Sequence, residues 1–368
     1  MRVLVTGSRG FIGKNLAWRM RELAGFELLR FDRGDPVAGL QKLVDGCDAV
    51  IHLAGENRPA DVRDFSRVNG GLTRLVCDRV RRSRRVVPFI LASSTQAGAD
   101  NPYGASKLES EAAVRQLHAD LGNPCVIHRL PNVFGKWCRP DYNSVVATFC
   151  HHIAHDLPIR IDAPTKRLCL VHVDDVVTEF LRELRSATPG VHEGGSLPEY
   201  SISVGELADQ IRSFSNCRTG LVTERVGTGL IRALYSTYVS YLPTEKFAYD
   251  LPRYGDERGV FVEMLKTPDC GQFSYFTAHP GVTRGGHYHH TKTEKFLVIK
   301  GVAKFGFRNL VTDETFEIFT SGDAPKVVET VPGWTHDITN VGSEEMVVML
   351  WANEIFDRAH PDTVASKV

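Results

Sequence analysis

No apolar run in this 368-residue chain approaches the ~20 residues needed to cross a bilayer, so no membrane partner is expected. Excess charge of one sign is also missing. Lys plus Arg number 44 and Asp plus Glu number 44, which argues against a general nucleic-acid binder or a polybasic membrane binder. The eight cysteines include no C-x-x-C pair. They read as reduced thiols of a cytoplasmic protein, not as a zinc ribbon or a disulfide frame. The opening segment MRVLVTGSRGFIG carries no signal-peptide cleavage pattern. There is no internal repeat and no low-complexity tract. What is present is ordinary globular composition, 42% apolar and 24% charged. At roughly 150 residues per domain the length suggests two domains.

The first half alternates short β-branched runs with longer amphipathic stretches. Strands are expected at Arg2–Thr6, Glu27–Phe31, Ala49–Ala54, Val86–Ala92 and Val126–Leu130. Helices are expected at Phe11–Ala24, Val62–Arg82 and Tyr103–Leu121, with a later one over Ser203–Phe214 opening on a Ser cap. This βαβα alternation implies a doubly wound parallel sheet of Rossmann type. The texture changes near Leu242, where YLPTEKFAYDLPRYGDERG reads as a linker or wrapping arm. Beyond it QFSYFTA, KFLVIKG, AKFGFRNL, TFEIFTS and MVVMLWAN are strand-like runs at regular spacing, so a small antiparallel barrel or sandwich is expected. The expected division is residues 1–243, α/β, and residues 244–368, all-β.

The first strand-to-helix turn reads Gly7-Ser-Arg-Gly10-Phe-Ile-Gly13. Glycines let the backbone approach a pyrophosphate, and the helix N-terminus adds unpaired N–H donors and positive potential. Gly7, Arg9, Gly10, Phe11, Ile12 and Gly13 are therefore candidate cofactor residues, with Leu53 and Ala54 at the end of the third strand. Asp32 closes the second strand and suits a ribose 2′-hydroxyl, the mark of NAD. Arg33 beside it and Arg9 suit a 2′-phosphate; two guanidiniums favour NADPH, with NADH the alternative. Tyr103 and Lys107 stand at i and i+4 on one helix face, where an ammonium near a phenol favours phenolate. Ser93, Ser94 and Thr95 end the preceding strand, and one of these hydroxyls completes a Ser–Tyr–Lys set that polarises a carbonyl.

The second half carries His287, His289 and Glu294 in an HxH, four-residue, E pattern, then Pro332-Gly333 and His336. On a strand His287 and His289 point the same way. Three imidazoles and a carboxylate suit a divalent ion, zinc first.

TGSRGFIG, AVIHLAG, ASSTQ, NPYGASK, RLPNVFG and LVHVDDV occur in the order seen in the nucleotide-sugar branch of the extended short-chain dehydrogenase/reductases, which the chain resembles. The resemblance implies that Tyr103 is the acid/base, that Lys107 holds the nicotinamide ribose and that Ser94 assists, with Ser93 or Thr95 as alternatives. It also implies substrate roles for Asn132 and Arg129, the latter equally readable as an ion-pair partner. Related dehydratases have an Asp-Glu pair where this chain has Thr95-Gln96, which disfavours dehydration. The paired histidine blocks resemble the cupin superfamily. Asp256 to Glu263 and Arg284 to His287 resemble segments of deoxysugar 3,5-epimerases, implying that Arg258, Glu263 and Arg284 meet substrate. Asp337 and Lys295 are lesser acid/base candidates.

End to end, the chain resembles bifunctional reductase–cupin enzymes of bacterial capsule and O-antigen synthesis. PNVFGKWCRPDYNSV is the most specific segment. The resemblance implies a UDP-2-acetamido-2,6-dideoxy-hexos-4-ulose substrate. It would be epimerised at position 3 by the cupin and reduced at position 4 with NADPH, on the route to UDP-N-acetyl-L-fucosamine. A homodimer is implied too. The alternative is a nucleotide-sugar reductase or 4-epimerase whose barrel serves only as a metal-stabilised dimerisation module.

Overall fold

The computed structural model describes residues 1–368 other than Pro252, 257–258, 263–264, 266–270 and 355–358; Arg258 and Glu263 thus lie outside the described residues. The chain forms two compact units, one of Met1–Ser144 with Leu168–Ser201, the other of Val145–Arg167 with Ile202–Val368.

In the first unit, β1 (Arg2–Thr6), β2 (Glu27–Phe31), β3 (Ala49–His52), β4 (Phe89–Ser94) and β5 (Cys125–Leu130) are five of the strands of one parallel sheet. Two short strands, β6 (Asn132–Phe134) and β7 (Arg167–His172), pair in parallel, and β8 (Val191–Glu193) completes the large sheet in the order β2-β1-β3-β4-β5-β8. β9 (Glu199–Ser203) pairs with β7 to make a three-stranded sheet that the sequence reading did not foresee. Helices α1 (Phe11–Glu22), α2 (Val37–Gly46), α3 (Gly71–Ser83) and α4 (Pro102–Leu121) follow β1 to β4 in turn. The sheet separates two apolar layers, as two-sided burial of a parallel sheet requires. Val3, Val5, Ile51 and Ile90 pack on one side and Leu4, Val50, Phe89 and Leu91 on the other.

Two boundaries differ from expectation for local reasons. β4 begins at Phe89 and not at Val86, because Pro88 has no N–H to give the ladder and Val86 is exposed. The expected helix Val62–Arg82 is instead a π-helical turn at Phe65–Gly70 followed by α3. At that joint Glu109 of α4 lies against the π-helical turn, its carboxylate accepting from Ser66 Oγ at 2.8 Å and pairing with Arg74 at 3.2 Å.

The second unit holds α5 (Val145–Ala154), α7 (Val204–Gly220) and α8 (Gly229–Val239); α6 (Val173–Arg185) belongs to the first. Ser203 caps α7 as expected, and Glu206 returns a bond to the Ser203 N–H, completing a capping box. The expected linker contributes a strand, β10 (Ala248–Asp250), followed by the hairpin of β11 (Arg253–Asp256) and β12 (Gly259–Val262). Next come β13 (Gln272–Ala278), β14 (Thr283–Tyr288), β15 (Glu294–Lys300), β16 (Val302–Asn309) and β17 (Thr315–Ser321). β18 (Lys326–Glu329), β19 (Trp334–Asn340), β20 (Met346–Ala352) and β21 (Val364–Ala365) complete the chain. They form two five-stranded antiparallel sheets, β10-β18-β15-β20-β13 and β17-β16-β19-β14-β21. Buried Phe296, Phe305, Phe307 and Trp351 belong to the core of this unit. Among the described residues no helix is long and apolar enough to cross a membrane.

Candidate functional site

The turn after β1 is shaped by close backbone approach. Gly7 has φ +73°, and a Cβ there would sit 2.9 Å from the Ala54 backbone; at Gly13 it would sit 2.2 Å from the Gly7 carbonyl oxygen. Gly10 is the N-cap of α1, which has no side-chain cap and no acidic residue in its first turn. These donors and the glycine cradle fit the diphosphate of a dinucleotide. Asp32 is buried, and its carboxylate accepts from Ser8 Oγ at 2.7 Å and from the Arg9 N–H at 3.0 Å. It thereby ties the end of β2 to the glycine turn. The Arg9 guanidinium lies 3.7 Å from Asp32, and Arg33 pairs with Glu56 at 2.8 Å. Both arginines project largely into solvent.

Behind this cradle, Ser94 ends β4 near the Tyr103 hydroxyl. The neighbouring hydroxyls are placed otherwise. Ser93 donates to Glu111 at 2.6 Å, and Thr95 is exposed. Lys107 Nζ donates to the Ala92 carbonyl at 3.1 Å and stands 5.8 Å from the centre of the Tyr103 ring. Burial pushes the Lys107 ammonium down to about 8, Glu111 acting weakly the other way. The same desolvation raises the Tyr103 phenol above its ordinary value, with the nearby Ser94 hydroxyl opposing. The expected lowering of Tyr103 is therefore not found in the protein alone: removing the phenolate from water outweighs a lysine placed against the ring face.

Several supporting residues escaped the sequence reading. Glu111 accepts from Ser93 and takes Arg129 in a two-pronged pair at 2.9 and 2.7 Å, so Arg129 stands in the ion-pair position. Asn69 brackets Glu56, accepting from its N–H at 2.7 Å and donating to its carbonyl at 3.0 Å. Tyr142, inside the long specific segment, donates to Glu56 at 2.6 Å. Asn132 is exposed and donates to the Cys169 carbonyl at 3.0 Å. Such contacts join residues far apart in the chain and leave no local pattern.

In the second unit His287 on β14, His289 just after it, Glu294 at the head of β15 and His336 on β19 converge. Their donor atoms all lie within 4.8 Å of one another. Antiparallel pairing sets His287 directly opposite His336. His289 Nε2 is 3.1 Å and His336 Nε2 3.6 Å from Glu294 Oε2. His336 is buried, yet neither ring nitrogen makes a hydrogen bond within the protein. Burial, with His336 and His289 nearby, pushes the His287 imidazole down to about 3. Three imidazoles and one carboxylate, with the buried His336 ring making no hydrogen bond among the described residues, form a donor set that fits a divalent cation.

The cluster borders a cavity of about 190 Å³ whose other walls include Phe276, Phe296 and Phe305. Arg284 is at its edge, its guanidinium 5.0 Å above the Phe276 ring. Of the two lesser acid/base candidates, Asp337 is among the residues lining this cavity and lies opposite Gly306 in the strand pair. Lys295 alternates with Glu294 and is buried against Glu329 and Tyr249.

Residues 3–195 match the NAD dependent epimerase/dehydratase family, and residues 254–364 match the polysaccharide biosynthesis C-terminal domain. A UDP-2-acetamido-2,6-beta-L-arabino-hexul-4-ose reductase from Pseudomonas aeruginosa is 54% identical over 368 residues, covering 100% of this chain and 99% of the relative. The crystal structure of the capsular polysaccharide assembling protein CapF from Staphylococcus aureus is similar over 100% of both chains, with 37% identity and a TM-score of 0.66. MoeE5, solved with UDP-glucose and NAD, shares the fold over 65% of this chain and 98% of its own, at 20% identity and a TM-score of 0.57. With the glycine cradle, the ordered Ser94–Tyr103–Lys107 set and full-length likeness in hand, this chain belongs to the NAD dependent epimerase/dehydratase family and carries a polysaccharide biosynthesis C-terminal domain.

Proposed function

We propose that the protein is a bifunctional nucleotide-sugar enzyme acting on a UDP-2-acetamido-2,6-dideoxy-hexos-4-ulose. The C-terminal cupin epimerises position 3, and the N-terminal domain then reduces the 4-ketone to UDP-N-acetyl-6-deoxy-L-talosamine, precursor of UDP-N-acetyl-L-fucosamine. The observation that carries the reductive half is the grouping of the Ser94 hydroxyl, Tyr103 and Lys107 in the unit that bears a cradle fit for a dinucleotide. The full-length likeness to a hexul-4-ose reductase supports the substrate class. A functional boundary at 243/244 falls between the two family segments, 3–195 and 254–364.

Tyr103 donates its proton to the carbonyl oxygen as the hydride arrives at position 4. Ser94 holds that oxygen, and Lys107 orients the nicotinamide ribose and replenishes charge near the phenol. The reduced nicotinamide supplies the hydride. NADPH is the proposed reductant because Arg9 and Arg33 are exposed guanidiniums flanking Asp32, with NADH the alternative. Asn132, Arg129 and Arg284 are the proposed sugar-nucleotide contacts among the described residues.

A C–H next to a ketone is acidic because the resulting enolate spreads its charge onto oxygen. Reduction removes that activation, so epimerisation must come first. His287, His289, Glu294 and His336 would hold a divalent ion, zinc by preference, which supplies Lewis acidity toward the enolate oxygen. We further propose a cytoplasmic homodimer; the buried free thiols of Cys47, Cys77, Cys125 and Cys217 suit a reducing compartment.

The test is incubation of the 4-keto sugar in deuterated water with and without NADPH. Deuterium at position 3 without reductant, and 4-alcohol only with it, is the expected result. Absence of exchange would leave a reductase with a metal-stabilised module, and absence of nicotinamide oxidation would remove the reductive assignment.

A further inference from the structure

The last ten residues of the chain run along the strand and loop that bear two of the clustered histidines. β21 pairs with β14 in the register His287 to Ala365 and Tyr288 to Val364. Ser366 N–H donates to the Gly286 carbonyl at 2.8 Å. Just before these contacts in the chain sits Asp362. Its carboxylate accepts three successive backbone N–H groups, from His290 at 2.9 Å, Thr291 at 2.7 Å and Lys292 at 2.7 Å, and the Thr291 hydroxyl at 3.2 Å. Its own carbonyl oxygen lies in hydrogen-bond contact with Nδ1 of His289.

A carbonyl can only accept, so that contact puts the proton on Nδ1. Nε2, the atom 3.1 Å from Glu294 in the cluster, is then the nitrogen that a cation would take. The carboxylate meanwhile fixes the turn that joins His289 to Glu294, three N–H groups converging on one anion. One residue, 73 positions away in sequence from His289, thus sets both the tautomer of a donor and the path of the loop between two donors.

We propose that Asp362 is the positioning residue of the His287/His289/Glu294/His336 centre, so that the C-terminal segment is part of the apparatus for holding a divalent cation. This rests on the reading of that centre as a metal site. Outer contacts that orient a ligating imidazole change affinity by roughly 10- to 100-fold.

The experiment uses the full-length chain, Zn²⁺ competition titration and the visible absorption of the Co²⁺-loaded protein. Asp362→Ala is expected to weaken Zn²⁺ binding by about 10- to 100-fold and to alter the Co²⁺ bands. Asp362→Asn, nearly isosteric, keeps the fold in reach and is expected to weaken binding as well. Arg308→Ala is the control. Arg308 grips the same segment at Ser366 and Lys367, away from the histidine loop, and its loss is expected to leave Zn²⁺ affinity unchanged. NADPH oxidation on an already epimerised 4-ketone should persist in all three variants. Wild-type affinity in Asp362→Asn and Asp362→Ala overturns the proposal alone. So does an equal loss in Arg308→Ala, which would reduce the effect to general docking of the segment. A wild-type protein that takes up neither Zn²⁺ nor Co²⁺ overturns the metal reading and the proposal with it.

Discussion

Ser94, Tyr103 and Lys107 are legible from order alone, because a helix puts i and i+4 on one face and a strand end presents its last hydroxyl. Which hydroxyl serves is not legible. It is decided by Glu111, which occupies Ser93 from α4. Tyr103→Phe should lower kcat by at least about 100-fold with little change in fold, read as NADPH oxidation. Lys107 carries the pH signature. Its folded value of about 8 is below its ordinary 10.5, so between these values the unfolded chain binds more protons. Stability should therefore rise with pH across that window. In Lys107→Met that rise should be absent when urea midpoints at pH 8 and pH 10 are compared with those of the wild type. Glu56 now neutralises Arg33 at 2.8 Å. Glu56→Gln should release Arg33 and shift the NADPH to NADH ratio of kcat/KM upward by several-fold.

At the scale of elements, punctuation read well where chemistry is local. The Ser203 cap, the glycine turn and the strand of VLVT each follow from a few adjacent residues. The start of β4 was readable too, had the missing N–H of Pro88 been weighed. α6 carried Val173, Val176, Val177, Phe180 and Leu184 at helical spacing, all buried, but that stretch was read only as a motif. Phe180→Ala, at the centre of that face, should cost about 3–5 kcal/mol in urea unfolding. The π-helical turn and the three-stranded sheet β6-β7-β9 were not legible. Both depend on partners elsewhere, Glu109 of α4 for the first and strands some 35 and 67 residues downstream of β6 for the second. Gly13→Ala drives a Cβ to 2.2 Å from a carbonyl oxygen that backbone holds in place. It should abolish nicotinamide binding, measured by quenching of protein fluorescence.

Across the whole molecule the two chemistries are separable by substitution. Tyr103→Phe should still exchange deuterium into position 3, and His289→Ala should still reduce an already epimerised 4-ketone while giving no exchange on the unepimerised one. If both variants lost both reactions, the division of labour would be wrong. By itself the sequence determined the class of each half and the candidate residues for chemistry, since glycine spacing, helical i, i+4 and strand i, i+2 relations are properties of neighbouring residues. Only the tertiary structure decided which groups are already engaged: Arg129 with Glu111, Arg33 with Glu56, Lys295 with Glu329, His289 with Asp362. The reason is that burial and charge pairing depend on distances between elements, and no linear spacing encodes a distance across a sheet or between a strand and the end of the chain.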